Sequence, residues 1–275
     1  MLKFMYITNN VKIAKIAEEA GVDRIWIDLE KLGKEERQKG LNTVKSQHCF
    51  SDISKIKSSL EISELIVRID PINKCSKNDI EKVINEGADL IMLPMFKTVE
   101  EVKYFIEQVN GRCKTVLLLE TKEAVDIIDQ ILDLPGIDEI HIGLNDLSLS
   151  YGQSFMFEPL SNGMVDNLCE KFRKKNIPYG FGGIARIGEG LLPAENIITE
   201  HFRLGSSRVI LSRSFCDVDI DENENILRSE FLSGIQGIKS WEKILQYVDN
   251  EYYNFNKIEV NSIISKLIQL RKEKI

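Results

Sequence analysis

Short apolar runs alternate with amphipathic segments along most of this chain. Each run is too short for a buried helix and fits a strand covered on both faces, whereas the segments between them carry apolar residues at helical spacing. The pattern predicts strands within residues 3–8, 21–28, 65–69, 87–94, 115–119, 137–142, 179–184 and 205–212. It predicts helical segments at Val11–Ala20, Glu35–Val44, Ile53–Leu60, Lys77–Glu86, Val99–Val109, Lys122–Leu132, Met164–Lys174 and Pro193–Leu204.

One kind of junction recurs where a predicted helix leads into a strand. In Gly21–Asp28, Gly87–Pro94, Gly136–Gly143 and Gly205–Ser212, a glycine is followed by a polar step and then an apolar run. Glycine accepts the left-handed conformation that ends a helix, so each segment predicts entry into a buried strand. Eight strands with intervening helices predict an α/β fold, an eight-stranded parallel (β/α) TIM barrel over residues 1–217. The alternative, an open doubly wound sheet, needs a glycine-rich phosphate turn after the first strand, which this sequence lacks.

The pattern changes after the predicted barrel, and residues 218–275 are predicted to form a C-terminal helical extension. An acidic turn at Asp219–Glu224 precedes helices at about Ile226–Tyr247 and Ile258–Lys274. Apolar residues of the second helix recur at helical spacing, so one face is available for packing. We expect the extension to pack against the base of the barrel or a neighbouring subunit, and the alternative is that it covers the mouth of the barrel.

Charge and cysteine content narrow the class of protein. The net charge is −7 and no lysine-rich block is interleaved with aromatics, which argues against a nucleic-acid surface. The five cysteines are odd in number and widely dispersed, which fits reduced thiols in a cytoplasmic protein. No apolar run reaches the roughly 18 residues of a membrane helix. A cytoplasmic protein that acts on small molecules, with no membrane or nucleic-acid partner, is therefore expected.

Two carboxylates stand at the ends of neighbouring predicted strands, Glu120 after the fifth and Asp146 after the sixth. Parallel strands joined by a right-handed crossover lie about 5 Å apart and point the same way, so both carboxylates should face one pocket. Like charges that close repel unless one carboxylate is protonated or a cation lies between them, and oxygen ligands suit Mg²⁺ or Mn²⁺. The alternative is that Glu120 is a first-turn acid of the next helix and Asp146 caps a turn.

Further polar residues lie at the same predicted rim. Arg68 directly follows an apolar run, which places its guanidinium to bind a substrate carboxylate or phosphate in bidentate fashion. Arg186 lies in a glycine-rich segment after the seventh strand, where barrels often bind phosphate, and is expected to contact substrate. His141 lies within the sixth strand and is interpreted as a packed structural histidine. The remaining rim candidates are Asp28, Glu30, Lys31 and Asn145.

Five short segments at barrel-like spacing carry a family resemblance: Trp26–Lys31, Val67–Pro71, Gly87–Pro94, Leu119–Ala124 and Ile142–Ser148. In this order they resemble the HpcH/HpaI aldolase and citrate lyase beta-chain superfamily over roughly residues 1–215. The resemblance implies a divalent-metal-dependent carbon–carbon lyase or aldolase that acts through a pyruvate-type 2-oxo acid enolate. It also implies a small-molecule 2-oxo acid substrate and a homo-oligomer.

The resemblance assigns roles to individual residues. Glu120 and Asp146 are similar to the family's ligands of Mg²⁺ or Mn²⁺, and Arg68 is similar to the arginine that holds the substrate carboxylate and the enolate oxygen. Asp28 and Glu30 would then orient Arg68 or a metal-bound water. Asn145, Asp146 and Arg186 are expected to bind substrate.

Lys31 is a departure from the family pattern. The pyruvate aldolases carry an acid–base histidine directly after the glutamate of the second-strand motif, and here that position is Lys31. A lysine transfers protons only if burial or a positive neighbour lowers its pKa, and it can equally bind phosphate. Two alternatives therefore stay open: an acyl-CoA lyase of the citrate lyase beta-chain type, and a catalytically altered barrel that binds ligands or serves in an assembly.

Overall fold

The computed structural model describes residues 1–33, 47–212, 215 and 220–273. The predicted helix Glu35–Val44 and the predicted boundary at residue 217 lie outside the described residues. Within the described part, eight parallel strands close into a barrel in sequence order, and the first strand pairs with the last. The predicted TIM barrel is confirmed. The strands are β1 (Lys3–Ile7), β2 (Arg24–Asp28), β3 (Glu64–Arg68), β4 (Leu90–Leu93), β5 (Lys114–Leu119), β6 (Glu139–Ile142), β7 (Tyr179–Ile184) and β8 (Arg208–Leu211).

The helices follow the predicted segments closely. The structure has α1 (Val11–Ala20), α2 (Phe50–Lys57), α3 (Ser76–Asn85), α4 (Val99–Val109), α5 (Lys122–Asp126), α6 (Ile128–Leu132), α7 (Leu144–Ser150), α8 (Glu158–Ser161), α9 (Met164–Lys174), α10 (Ala194–Leu204), α11 (Ile220–Leu245) and α12 (Asn250–Lys272). The predicted helix Lys122–Leu132 is broken at Ile127, whose φ of −109° and ψ of 13° are not helical. The short helices α7 and α8 were not predicted.

Two apolar layers hold the barrel together. The larger one lies between the strands and the surrounding helices, where alternate strand residues such as Ile25, Ile27 and Val67 are fully covered. The smaller one fills the barrel itself, because the other strand positions point inward. Its members are Met5, Trp26, Ile66, Leu90, Met92, Val116 and Leu118. The interior is therefore packed, and a cavity can form only at its ends.

A buried ion network closes the amino-terminal end of the barrel. Arg24 on β2 has no exposed surface and binds Glu139 on β6 through Nη1 at 2.6 Å and Nη2 at 2.8 Å. Arg208 on β8 donates to the same carboxylate through Nε at 3.1 Å and Nη2 at 3.0 Å. Glu64 accepts from Arg24 Nε at 2.9 Å and from Lys114 Nζ at 2.6 Å. These ion pairs join strands across the interior.

The C-terminal helices pack on the outside of the barrel, α11 against α1 and α10, and α12 against α10 and α8. Helix α11 begins at Ile220, inside the predicted acidic turn, and has a non-helical residue at Asn223. Leu2 N–H donates to Glu242 Oε1 at 2.6 Å, which ties α11 to the first strand. The division into a barrel domain and an extension stays a prediction. None of the helices in the described part has the length and apolar run needed to cross a bilayer.

Candidate active site

A cavity of about 210 Å³ opens at the carboxyl ends of the strands. Residues from β2, β3, β5, β6, β7 and β8 reach it, so it is the mouth of the barrel, where barrels of this kind carry their chemistry. Four of the predicted site residues line it: Arg68, Glu120, Asn145 and Asp146. The other lining residues are Ile7, Trp26, Leu118, His141, Gly143, Leu144, Met156, Gly182, Gly183 and Ile210.

Glu120 is placed by two neighbouring loops. It follows β5 and precedes Thr121, which is the N-cap of α5, so Glu120 lies before the helix rather than in its first turn. Met95 N–H donates to Glu120 Oε1 at 3.2 Å. Met95 has a φ of 53°, a conformation that non-glycine residues adopt only when the surroundings impose it. The loop after β4 is therefore strained at Met95, and its backbone orients the Glu120 carboxylate.

Gly143 leaves the room that Glu120 occupies. A Cβ at Gly143 would lie 2.7 Å from Glu120 Oε2 and 2.9 Å from Glu120 Cβ. The φ of Gly143 is −81°, so an alanine is free of backbone strain, and its closest conflicts are with the Glu120 side chain, beside a tight 3.3 Å contact with Leu118 Cδ1. We expect Gly143→Ala to push the carboxylate aside and lower activity at least about tenfold, which is the effect of a small misplacement of a catalytic group.

The matched control for this substitution is Gly152→Ala, because nothing lies within 4 Å of a Cβ at Gly152. The φ of 67° at Gly152 makes the alanine variant less stable than the wild type, but the substitution leaves the cavity intact. Activity per folded molecule, with folding checked by circular dichroism, separates the two effects. Equal activities for the two variants would contradict the steric role of Gly143.

Asp146 supplies the second carboxylate. It lies in the first turn of α7 and is 8% exposed, and its Oδ1 has no hydrogen-bond partner among the described residues. A buried carboxylate oxygen without a partner is costly unless a ligand completes it. Mg²⁺ is commonly bound by one or two carboxylates plus water and substrate oxygens, so Glu120 and Asp146 fit such an ion. The described residues contain no group of three or more His, Cys, Asp or Glu side chains that could hold a metal.

Arg68 is held by two buried acids. Its Nε and Nη2 donate to the two oxygens of Asp28 at 2.9 Å each, and its Nη1 lies 3.2 Å from Glu30 Oε2. Its guanidinium also lies 5.4 Å from the ring centroid of Trp26. Burial acts to lower the pKa of Arg68, but the charges of Asp28 and Glu30 outweigh it and raise that pKa. The bidentate face of the guanidinium is thus directed to Asp28, and Arg68 is a fixed positive charge in the cavity wall.

His141, which the sequence interpretation took as a packed structural histidine, is also a cavity residue. It lines the cavity, is 1% exposed, and its Nε2 lies 3.2 Å from the Gly182 carbonyl oxygen. A carbonyl oxygen only accepts, so Nε2 carries the proton and Nδ1 has a lone pair, with no partner among the described residues. Within β6, Glu139 and His141 lie two positions apart and share a face, and this alternation of strand side chains was the signal that could have placed His141 inside the barrel.

Burial lowers the pKa of His141 to about 4. The unfolded chain has the ordinary value near 6.5, so between pH 6.5 and 4 the unfolded state binds more protons. The contribution of His141 to the free energy of unfolding is fully present above pH 6.5. It falls by about 3 kcal/mol in total as the pH drops from 6.5 to 4.

Urea unfolding of the wild type and of His141→Gln at several pH values checks this expectation. The free energy of unfolding of the wild type should lose up to about 1.4 kcal/mol more per pH unit than the variant. Parallel pH dependences would show that His141 is not buried in its neutral form.

Lys31 lies outside the cavity. Its side chain is exposed and lines a different, smaller pocket beside His48 and Cys49. Its backbone N–H donates to Asp70 Oδ1 at 2.6 Å, and the backbone N–H of Asp28 donates to His48 Nδ1 at 2.9 Å. The structure therefore does not bring Lys31 together with Glu120 and Asp146.

Arg186 is also placed away from the cavity lining. Its Nε lies 3.4 Å from Glu189 Oε1, and its Nη1 lies 3.7 Å from Glu230 Oε2 on α11. These ion pairs link the loop after β7 to the C-terminal extension. A role for Arg186 in substrate binding stays a prediction.

Comparison with known proteins gives a consistent result. The sequence profile of the family described as HpcH/HpaI aldolase/citrate lyase matches residues 3–156. A 2-keto-3-deoxy-L-rhamnonate aldolase of Escherichia coli (strain K12) is 29% identical over 107 residues, and a counterpart from Shigella boydii serotype 4 is 28% identical. Each alignment covers 28% of this chain and 40% of the relative, so the chain spans well under half of the curated relatives that it matches.

Solved structures share the fold at low identity. The HpcH/HpaI aldolase from Desulfitobacterium hafniense DCB-2 has a TM-score of 0.59 and 16% identity, over 90% of this chain and 94% of that one. The citrate synthase SbnG has a TM-score of 0.57 and 19% identity, over 86% of this chain and 94% of that one. These likenesses concern the fold alone.

Proposed function

Because the chain belongs to the HpcH/HpaI aldolase/citrate lyase family, we propose that it is a divalent-metal-dependent carbon–carbon lyase of the aldolase type. Its substrate is a 2-oxo acid of the pyruvate type, and the reaction passes through an enolate. The observation that carries this proposal is that Glu120, Asp146 and Arg68 line one cavity at the barrel mouth. Two negative groups and one fixed positive group there match a cation and an anionic substrate.

Glu120 and Asp146 would hold Mg²⁺ or Mn²⁺, with water and substrate oxygens as the remaining ligands. A divalent cation bound there supplies a Lewis acid that polarises the 2-oxo carbonyl group. The two protein carboxylates set the position of that charge. The Oδ1 of Asp146, which has no hydrogen-bond partner among the described residues, supports this assignment.

Arg68 would stabilise the negative oxygen that develops when the bond next to the carbonyl breaks. A preorganised charge in a site shielded from water stabilises such an oxyanion without reorganising during the reaction. Asp28 and Glu30 act as positioning residues, because their contacts fix the guanidinium plane. Asn145 adds a polar group to the same wall.

The proton-transfer group departs from the family pattern in this chain, because Lys31 stands at the position of the expected histidine and lies outside the cavity. We propose His141 as a hydrogen-bond acceptor for a substrate hydroxyl, through the lone pair on Nδ1.

A cytoplasmic homo-oligomer stays our expectation. The four described cysteines are free thiols, in keeping with a reducing compartment.

Deuterium exchange into the methyl group of pyruvate, followed by NMR, tests the proposed enolate. We expect exchange with Mg²⁺ or Mn²⁺ and its loss when a chelator removes the metal. Tight binding of metal and pyruvate without exchange would favour the ligand-binding alternative. Exchange into an acyl-CoA methyl group, with none into pyruvate, would favour the citrate lyase type of reaction.

A further inference from the structure

A second cavity lies on the outside of the barrel, where the start of α10 meets α11 and α12. Its volume is about 290 Å³, slightly below the range of roughly 300–1,000 Å³ that is usual for sites of drug-sized ligands. Its lining consists of Pro193, Glu195, Asn196, Trp241, Tyr252, Phe255, Asn256 and Glu259. None of these residues belongs to the barrel mouth, so this cavity is independent of the proposed lyase site.

Three aromatic side chains contribute to this lining. Tyr252 and Phe255 are three positions apart on α12 and lie on one face, while Trp241 comes from α11. Tyr252 is 37% exposed and Phe255 is 64% exposed, so their rings are accessible to a ligand. Trp241 is fixed by its Nε1–H, which donates to Thr199 Oγ1 at 3.3 Å.

The charge of the lining is entirely negative. Glu195 and Glu259 are its only ionisable groups other than Tyr252, and neither forms an ion pair with a described residue. Glu195 Oε1 accepts from Gly188 N–H at 2.8 Å, whereas Glu195 Oε2 is buried and has no hydrogen-bond partner among the described residues. A buried carboxylate oxygen of this kind calls for a donor from a ligand.

The floor of the cavity is rigid. Asn196 Nδ2 donates to Asn256 Oδ1 at 2.9 Å and to Glu259 Oε2 at 3.1 Å. Asn256 Nδ2 donates in turn to Glu200 Oε1 at 2.9 Å, so α12 is held against α10 by a connected set of side-chain amides. Asn256 and the Glu259 carboxylate are therefore held in place against α10.

From this combination we propose that the cavity binds a small organic cation through an alkylammonium group. The aromatic rings provide cation–π contacts, and the carboxylates provide charge and a hydrogen-bond acceptor for the N–H groups. A neutral ligand of the same size would leave Glu195 Oε2 without a charged partner. An anion would be repelled by both carboxylates.

The probe for the test is n-butylammonium, and its neutral counterpart is butan-1-ol. Ligand-observed NMR titration with the full chain should give an affinity about tenfold or more higher for the cation, in line with one cation–π contact and one charge pair. Glu195→Gln removes the charge but keeps an acceptor for Gly188 N–H, and Phe255→Leu keeps an apolar side chain without a ring. Each should weaken binding of the cation at least about threefold.

Tyr247→Leu is the matched control, because Tyr247 is 89% exposed on the same extension and does not line the cavity. It should leave the affinity unchanged. Equal affinities for butylammonium and butan-1-ol, or no binding of butylammonium, would overturn the proposal. So would unchanged binding in both cavity variants, or equal losses in Tyr247→Leu and Phe255→Leu.

Discussion

Replacing Glu120 by glutamine is expected to lower the turnover number by about 10³-fold, while the fold stays intact. Glutamine has the same shape and keeps an acceptor for the Met95 N–H, which donates to Glu120 Oε1 at 3.2 Å. What it loses is the negative charge that would help to hold the divalent cation. Metal-dependent exchange of the pyruvate methyl group should fall in parallel, because the enolate and the cleavage share the same charged site.

Glu123→Gln is the control for this experiment. Glu123 lies three residues further along, in α5, with a side chain that is 50% exposed and paired with Lys97 at 3.4 Å. It does not line the cavity, so its turnover should match that of the wild type. A loss of less than about tenfold in Glu120→Gln would remove Glu120 from the proposed metal site, since removal of a single preorganised electrostatic contact already costs about 10²-fold.

Glu139→Gln is expected to give the largest loss of stability, about 3 kcal/mol or more in the free energy of unfolding. This carboxylate binds both Arg24 and Arg208 inside the barrel, and Arg24 has no exposed surface. A neutral amide leaves the buried guanidinium of Arg24 and the half-buried guanidinium of Arg208 without their shared counter-charge. Urea unfolding monitored by circular dichroism measures the change.

The pair Arg112–Glu81 provides the matched comparison. It has the same bidentate geometry, with distances of 2.8 and 2.7 Å, but its side chains are 38% and 44% exposed. Water and salt screen such a pair, so Glu81→Gln should leave stability nearly unchanged. Similar losses for the two variants would mean that burial does not set the strength of the barrel network.

Acid should weaken the same network. Burial acts to raise the pKa of Glu139, but hydrogen bonds and charges from Arg24 and Arg208 lower it to about 2. The stabilisation from Glu139 is thus present above its unfolded pKa, near 4.5, and is lost as the pH falls towards 2. The pH window of Glu139 begins near the lower end of the window set by His141. As the pH drops, stability is therefore lost first through His141 and then through Glu139.

Local patterns in the sequence were sufficient to predict the strands and the main helices of the barrel. Val11–Ala20, Val99–Val109 and Met164–Lys174 were predicted with the observed bounds, because amphipathic spacing and end signals are encoded in neighbouring residues. The break at Ile127 was not predicted, since no glycine or proline marks it. The helices α7 and α8 were missed because they are only seven and four residues long.

The contents of the cavity could be predicted only in part. Glu120 follows β5 directly, Arg68 is the last residue of β3, and Asp146 lies in the first turn of the helix after β6. The carboxyl ends of parallel strands meet at one edge, so the common location of these residues follows from their position in the chain. His141 was interpreted as a structural histidine and also lines the cavity, whereas Lys31 was a rim candidate and lies outside the cavity. A barrel strand is buried on both faces, so an apolar run around a histidine does not reveal which side it faces.

The sequence by itself determined the closed eight-stranded barrel and the end of it that carries the polar residues, because strand order, helix spacing and connection handedness are local or topological properties. Only the tertiary structure decided the partners of each charge. The bidentate contact of Arg68 with Asp28, the shared Glu139 at the closed end and the cluster of rings beside Glu195 join residues distant in sequence. Such contacts depend on side-chain direction and on competition among neighbouring charges, which no single segment encodes.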